Sequence, residues 1–362
     1  MARAGLVIAG TGLAGMAAAI TAAQAGVEVR LLGPPPADGD RVGDTLSAAG
    51  EAALAALGME DLLREGPHRP HLVTHAAWGL PVLAQRHAAA QPEGGGHILQ
   101  RAAFEAALFR RVRALGVAIQ PARAVAMVRE GAGWRVALDS GEELAADGVI
   151  DATGRAAALA RAHSRPFRAD RLVAAWQFIA RSDPEVEPSR ASLIEAVAGG
   201  WWYGCLLPDE RLSLAFFSDP DLLPRGLSRD LERWRALAGE TVFIRRWLES
   251  ASFDLVAPPR LASAATTWLA PAAGPGWAAA GDAACAFDPL SSHGMATALW
   301  TGRRAARALI AGLKGEPQAL AAYADAMARA VTDFLLQRAR VYGAEQRWRA
   351  APFWQRRRGA AG

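Results

Sequence analysis

Leu6-Val7-Ile8-Ala9-Gly10-Thr11-Gly12-Leu13-Ala14-Gly15, followed by the alanine-rich stretch Met16 to Ala25, decides the fold of this chain. Leu6 to Ala9 is a short apolar run of the kind a fully buried strand needs. Met16 to Ala25 is helix-forming, Gly26 ends it, and Val27-Glu28-Val29-Arg30-Leu31-Leu32 reads as a second strand. Strand, glycine turn, helix and strand are the context that makes Gly-x-Gly-x-x-Gly a dinucleotide-binding turn. Gly10 permits the turn, Gly12 lets the backbone approach a pyrophosphate, and Gly15 lets the helix pack close on the strand. The helix start, Leu13 and Ala14, then offers free N–H groups to the phosphates. Arg3, the apolar stretch and Ala23-Gln24-Ala25 also have the outline of a secretory leader. Cleavage there would delete strand, turn and helix together, so the folded reading is kept. The acidic residue that ordinarily ends the second strand is missing. Gly33-Pro34-Pro35-Pro36 stands there, and Asp38, Asp40 and Arg41 remain open as substitutes.

Composition bounds the rest. Of 362 residues, 52% are hydrophobic and 21% charged, which excludes a disordered, collagen-like or coiled-coil chain and supplies a large core. Cys205 and Cys285 are too few for a disulfide framework or thiolate zinc site, so a reducing, cytoplasmic setting is expected. The net charge is +4, but all of the 40 basic residues except Lys314 are Arg, spread along the chain, so nucleic acid is not the expected partner. No run is long and apolar enough for a membrane span, and a membrane partner is not expected. His68, His71 and His75 sit among Pro67, Arg69 and Pro70 without a carboxylate or thiolate, so no metal is expected. A cleft-lining place suits these histidines better.

Later segments extend the pattern. Gly148-Val149-Ile150-Asp151-Ala152-Thr153-Gly154-Arg155 is a buried strand running into a glycine turn. Gly276 to Ala280 is another, ending in Gly281-Asp282 and continuing through Phe287-Asp288-Pro289-Leu290-Ser291-Ser292-His293-Gly294-Met295 into an alanine-rich helix. His97 to Arg101 precedes a helix with Phe104, Leu108, Val112 and Leu115 on one face. With Arg41-Val42-Gly43-Asp44-Thr45-Leu46 in its place, the chain resembles the FAD-dependent monooxygenases of the para-hydroxybenzoate hydroxylase superfamily. The resemblance is strongest to the branch shared with tryptophan halogenases and geranylgeranyl-reductase-like enzymes. Gly200-Trp201-Trp202-Tyr203 and Phe287 to Ser292 look like flavoproteins that oxidise tryptophan side chains in partner proteins during quinone-cofactor maturation.

That resemblance implies FAD as cofactor, O2 as co-substrate and NAD(P)H or a separate reductase as electron donor. It implies hydroxylation of an aromatic ring through a flavin C4a-hydroperoxide, the ring being free or borne by a protein or peptide. It implies cofactor contacts from Gly10, Gly12, Leu13, Ala14, Gly15, Arg41, Thr45, Arg101, Gly154, Gly281, Pro289, Gly294 and Met295. Asp282 would accept from the ribityl chain, and the N–H groups around Gly294 and Met295 would face the flavin pyrimidine edge. His293 would lie beside the flavin for acid/base duty, against the alternative of an ordinary turn histidine. Thr153-Gly154 replaces the Asp-Gly pair of the hydroxylases, which leaves the electron donor open between direct NAD(P)H and a reductase. The lysine and the Trp-x-Trp-x-Ile-Pro segment that halogenases carry are absent, so halogenation is not expected. A reductase or dehydrogenase without oxygen insertion, and a non-catalytic flavin-binding protein, are the competing readings. A thioether from Cys205 or Cys285 to the flavin is conceivable.

The expected architecture is α/β, with a Rossmann-like FAD-binding domain, an inserted antiparallel-sheet substrate domain and a C-terminal helix. Residues 1–66, 96–165 and 260–315 make the first, 67–95 and 166–259 the second, and 316–362 the helix and basic tail. Leu172–Ile179, Ser192–Val197, Trp201–Leu207 and Leu212–Phe217 are the expected strands of the insert, with a helix over 228–238. Trp176, Trp201, Trp202 and Trp268 are candidates for an aromatic wall. So small a roof suggests an open flavin face that takes a bulky substrate. Pro317 opens a helix expected to reach about Arg349. The Arg- and Trp-bearing tail from Gln346 to Arg358 is read either as a dock for an acidic protein or anionic lipid, or as a solvated end.

Overall fold

The computed structural model describes residues 3–90 and 94–358. Its first sheet grows from β1 (Arg3–Ala9), α1 (Leu13–Gln24) and β2 (Val29–Leu32). β2 lies parallel to β1 with Leu31 beside Ile8, and β3 (Glu143–Asp151) lies parallel on the other side with Ile150 beside Ile8. Trp277–Ala279 extends the sheet beside β3, and Ala118–Gln120 extends it beside β2. Leu6, Val7, Ile8 and Ala9 are all inaccessible to solvent. That is why the strand reads as a continuous apolar run and not as an alternating one. α2 (Gly294–Leu313) crosses α1 at backbone range: a Cβ added to Gly302 would stand 2.1 Å from the Ala14 carbonyl oxygen. The small residues of both helices permit this approach.

The second sheet holds β4 (Val173–Ile179), β5 (Ser192–Val197), β6 (Gly200–Leu206) and β7 (Leu212–Ser218), the four strands expected from the alternation. They are ordered β4-β7-β6-β5; Arg260–Ser263 pairs with β4, and Val73–Ala77 followed by Ala84–His87 extends the sheet beyond β5. All pairs are antiparallel except β5 with Val73–Ala77. One face packs on helices Leu231–Gly239 and Phe243–Ser250 through Trp202, Phe216, Trp234 and Ile244. The other carries Ala174, Trp201, Ala215 and Phe217.

α3 (Gln318–Ala344) starts after Pro317 as expected but stops before Arg349. The chain then turns back into a short helix, Pro352–Arg358, with Phe353 and Trp354 fully buried. Trp354 Nε1 donates to Val197 O at 2.9 Å, Arg357 reaches Asp219 at 2.8 Å, and Arg356 reaches Asp221 at 2.6 Å. The expectation of a loose, solvated end is therefore corrected over its described residues: Phe353 and Trp354 are buried on the second sheet's flank, and Arg356 and Arg357 meet Asp219 and Asp221 of the same chain.

Candidate functional site

A cavity of about 400 Å³ lies between the two sheets. One wall is built from backbone and small residues. Gly12 caps α1 without any side-chain cap, and a Cβ placed on it would meet nothing within 4 Å. Its two partner glycines behave differently. Gly10 has φ +114°, and a Cβ on Gly15 would stand 1.8 Å from Gly10 O. The division of labour read from the motif is thus visible: Gly10 turns, Gly15 packs, and Gly12 leaves space for a ligand.

α2 opens on the same cavity. Its N-cap, His293, provides no side-chain cap, so the N–H groups of its first turn, at Gly294 and Met295, are left for another acceptor. Two uncapped helix starts facing one space favour an anionic or electron-rich ligand there. Gly281, with φ +61°, brings the chain against Ala14, where an added Cβ would be 2.7 Å from the Ala14 Cβ. Asp282 follows, 3.4 Å from Arg155 Nε. Its side chain is partly exposed to the cavity, and desolvation by the surrounding protein raises its carboxyl above the usual range against the pull of Arg155 and Arg101. Gly154, Pro289, Leu13 and Ala14 complete this wall.

Arg41, Thr45 and Arg101 are among the residues lining the cavity. They are held by a residue that sequence reasoning missed. Glu105, almost wholly buried, accepts from Arg41 at 2.6 Å and from Arg101 at 2.7 Å. Arg101 also donates to Val42 O at 2.9 Å and to Gly43 O at 2.7 Å, clamping the loop against the helix that follows. The i, i+4 spacing of Arg101 and Glu105 was the available signal. Of the ribose candidates, Asp40 is engaged by Arg211 at 2.9 Å, Asp38 is exposed, and Arg41 alone lines the cavity.

The opposite wall is made of side chains from the second sheet: Trp201, Tyr203, Ser213 and Phe217. Trp201 stacks on Phe217 with ring centroids 4.0 Å apart, and its Nε1 donates to Tyr342 Oη at 3.1 Å. Tyr342 in turn donates to the buried Asp288 at 2.7 Å, which Arg338 also binds at 3.2 Å. This chain of bonds ties the Trp201 ring to α3 and to the loop before α2. Trp202 points away into the Trp234 cluster, because neighbouring residues of a strand face opposite sides. Trp268 stacks on Phe167, and neither it nor Trp176 is part of the cavity lining among the described residues. Asp44 and Tyr203 lie in segments that carried the resemblance but were given no site role, and Ser213 was read only as part of a strand; the cavity lining includes all three.

His293 is half-buried, and the lining includes its neighbours Ser292 and Gly294 but not His293 itself among the described residues. His68, His71 and His75 are likewise outside the lining. His68 accepts from Gln100 N at 3.2 Å and His71 pairs with Ser192 at 2.8 Å, so these two serve the loop beneath the roof. Cys205 and Cys285 are buried and absent from the lining among the described residues, and burial pushes Cys285 up to about 12. Neither offers a thiolate to a flavin. No helix among the described residues is long and apolar enough to cross a membrane.

This fold is shared with solved flavoproteins that include a tryptophan dihydroxylase, a halogenase and an oxygenase. No protein-family model matches the chain. It is 28% identical over 296 residues to LodB of Marinomonas mediterranea, a protein named as an FAD-dependent oxidoreductase, covering 80% of this chain and 78% of LodB. Its structure is similar to the peptidyl tryptophan dihydroxylase QhpG, essential for tryptophylquinone cofactor biogenesis, with TM-score 0.79 and 24% identity over 98% of this chain and 79% of that one. It is also similar to the myxobacterial chondrochloren halogenase CndH, with TM-score 0.85 and 22% identity over 99% and 86% of the two chains. The superfamily resemblance read from the motifs holds.

Proposed function

We propose that the chain is an FAD-dependent monooxygenase that hydroxylates an aromatic ring, and that the ring is a tryptophan side chain presented by a partner protein or peptide. One observation carries this reading: a single cavity has a nucleotide-cradling wall of glycines and helix starts on one side and a fixed aromatic wall, Trp201 with Phe217, on the other. The donor set suits FAD, with Gly12 open to a pyrophosphate, Asp282 placed to accept from a polyol, and the Gly294 and Met295 N–H groups available to a ring edge. Bound and reduced, FAD would supply activated oxygen to the substrate ring. The protein's own part is to bind, orient and keep water out. Arg41 and Arg101, immobilised by Glu105, hold the rim; Trp201, fixed through Tyr342, gives a planar substrate a face to stack on. The names of QhpG and LodB support this choice of reaction class.

The domain division expected from sequence belongs to this proposal: a discontinuous cofactor part and a roof that presents the substrate. So does acid/base duty at His293, whose replacement by Ala would lower turnover while leaving flavin bound. The single lysine, Lys314, caps the far end of α2 and is absent from the lining among the described residues, which favours hydroxylation over halogenation. The test supplies purified protein with FAD, a reductant (NAD(P)H or a reductase system), isotopically labelled dioxygen and a tryptophan-bearing peptide. Label in the peptide is the expected result. A change in hydrogen count without label would install the reductase reading, and flavin that no donor reduces would install the non-catalytic one.

A further inference from the structure

Trp201, Tyr342, Trp354 and Trp78 form one aromatic cluster that runs from the cavity towards the protein surface. Trp201 stands at the cavity end, its Nε1 donating to Tyr342 Oη at 3.1 Å. The Tyr342 ring lies 5.9 Å, centroid to centroid, from both Trp78 and Trp354, and those two rings are 5.3 Å apart. Trp201, Tyr342 and Trp354 are buried, whereas Trp78 is half-buried and precedes the exposed residues Leu80 to Leu83. Phenylalanine or leucine would fill such a core as well. Indole and phenol rings differ from those in giving up an electron readily, and here they touch along the whole path. Tyr342 carries a second feature. Arg338 and Arg357 lie over its ring at 5.0 and 5.3 Å, and two cations so close disfavour a positively charged ring. An electron can leave this phenol only if its proton leaves too. An acceptor is in place: Tyr342 Oη donates at 2.7 Å to the fully buried Asp288, whose carboxyl burial raises, making it a better base.

We infer that Trp201, Tyr342 and Trp78 form a one-electron relay that draws oxidising equivalents out of the cavity and passes them to a soluble thiol at the surface. This rests on the oxygen-activating reading above and adds what becomes of activated oxygen that finds no substrate ring. A one-electron oxidant in the cavity, a partly reduced oxygen species, takes an electron from Trp201. Tyr342 returns an electron to Trp201 and passes its phenolic proton to Asp288. Trp78 then reduces Tyr342, which recovers that proton. Trp78 keeps its own N–H proton, because the N–H donates at 2.8 Å to a carbonyl, Val341 O, which takes up no proton. A thiolate supplies the last electron, and the thiyl radicals so formed couple to a disulfide. The oxidant is reduced, the thiolate is oxidised, and both indoles, Tyr342 and Asp288 end as they began.

The experiment is transient absorption of the FAD-loaded protein after a light pulse, which makes the bound FAD itself the one-electron oxidant, with dithiothreitol as the thiol. In the wild type an indole-radical signal is expected first, then a tyrosyl signal that forms severalfold more slowly in D2O, because a proton moves with the electron. Added dithiothreitol then leaves the flavin lastingly reduced. Tyr342→Phe keeps the ring but removes the tyrosyl signal and the isotope effect, and the flavin recovers severalfold faster. Trp78→Phe keeps the tyrosyl signal, prolongs it and abolishes refilling by the thiol. Flavin absorbance and melting temperature show that each variant is loaded and folded. A tyrosyl signal that survives in Tyr342→Phe belongs to another tyrosine and overturns the relay, as does recovery that neither substitution changes. Either result leaves the monooxygenase reading, judged by label in the peptide, standing. Relay signals in a protein that puts no label into a peptide support the relay and overturn the aromatic-substrate reading, and a protein that takes up no flavin overturns both.

Discussion

The two walls of the cavity are made by different means. The floor, from Gly12 to Met295, presents backbone and small residues held by close helix packing, whereas the roof presents Trp201, Tyr203, Ser213 and Phe217 on a sheet. Backbone N–H groups at helix starts recognise a pyrophosphate whatever else the protein does. Side chains on a strand are changed one at a time without moving the strand, so the roof is where specificity can vary. A constant ligand on one side and a variable one on the other is what this contrast suggests.

Replacements on the floor should separate packing from binding, and the largest effect falls there. Gly15→Val drives a side chain into Gly10 O, and little folded protein is expected in thermal melts. Gly12→Val has open space around it and should melt near the wild type yet lose flavin absorbance. If the two variants melt alike, the distinction between the glycines fails. On the roof, Trp201→Ala is expected to cost about 3–5 kcal/mol in denaturant unfolding. It should still retain stoichiometric flavin, because no floor residue is altered.

Asp282→Ala should weaken flavin binding about tenfold, measured by equilibrium dialysis, with little change in melting temperature. The smallest effect lies at the seam. His68 sits edge-on to Phe104, and burial lowers it to about 4 from 6.5. Its unfolded form takes a proton first, so the contribution is intact above 6.5 and is lost as pH falls from 6.5 towards about 4. His68→Gln should flatten that part of the melting-temperature profile.

Much of this was legible because it is local. β1, the glycine turn, α1 and β2 follow from run length and spacing, and β4 to β7 from their alternation. Arg101 and Glu105 are related by one helical turn. Other features depend on distant partners: Trp201 faces the cavity and Trp202 the core only because helices cover one side of their sheet. The tail looked free until Asp219 and Asp221, more than a hundred residues earlier, were found beneath it. Among the described residues His293 remained outside the lining while Glu105, which sequence reasoning missed, entered it.

The amino-acid order alone therefore determined a nucleotide-binding βαβ unit and an antiparallel insert, since glycine φ freedom and apolar periodicity act over a few residues. Tertiary structure alone decided which side chains share the cavity and which carboxylates are stripped of water, because burial and hydrogen-bond partnership exist only after the two sheets close on each other.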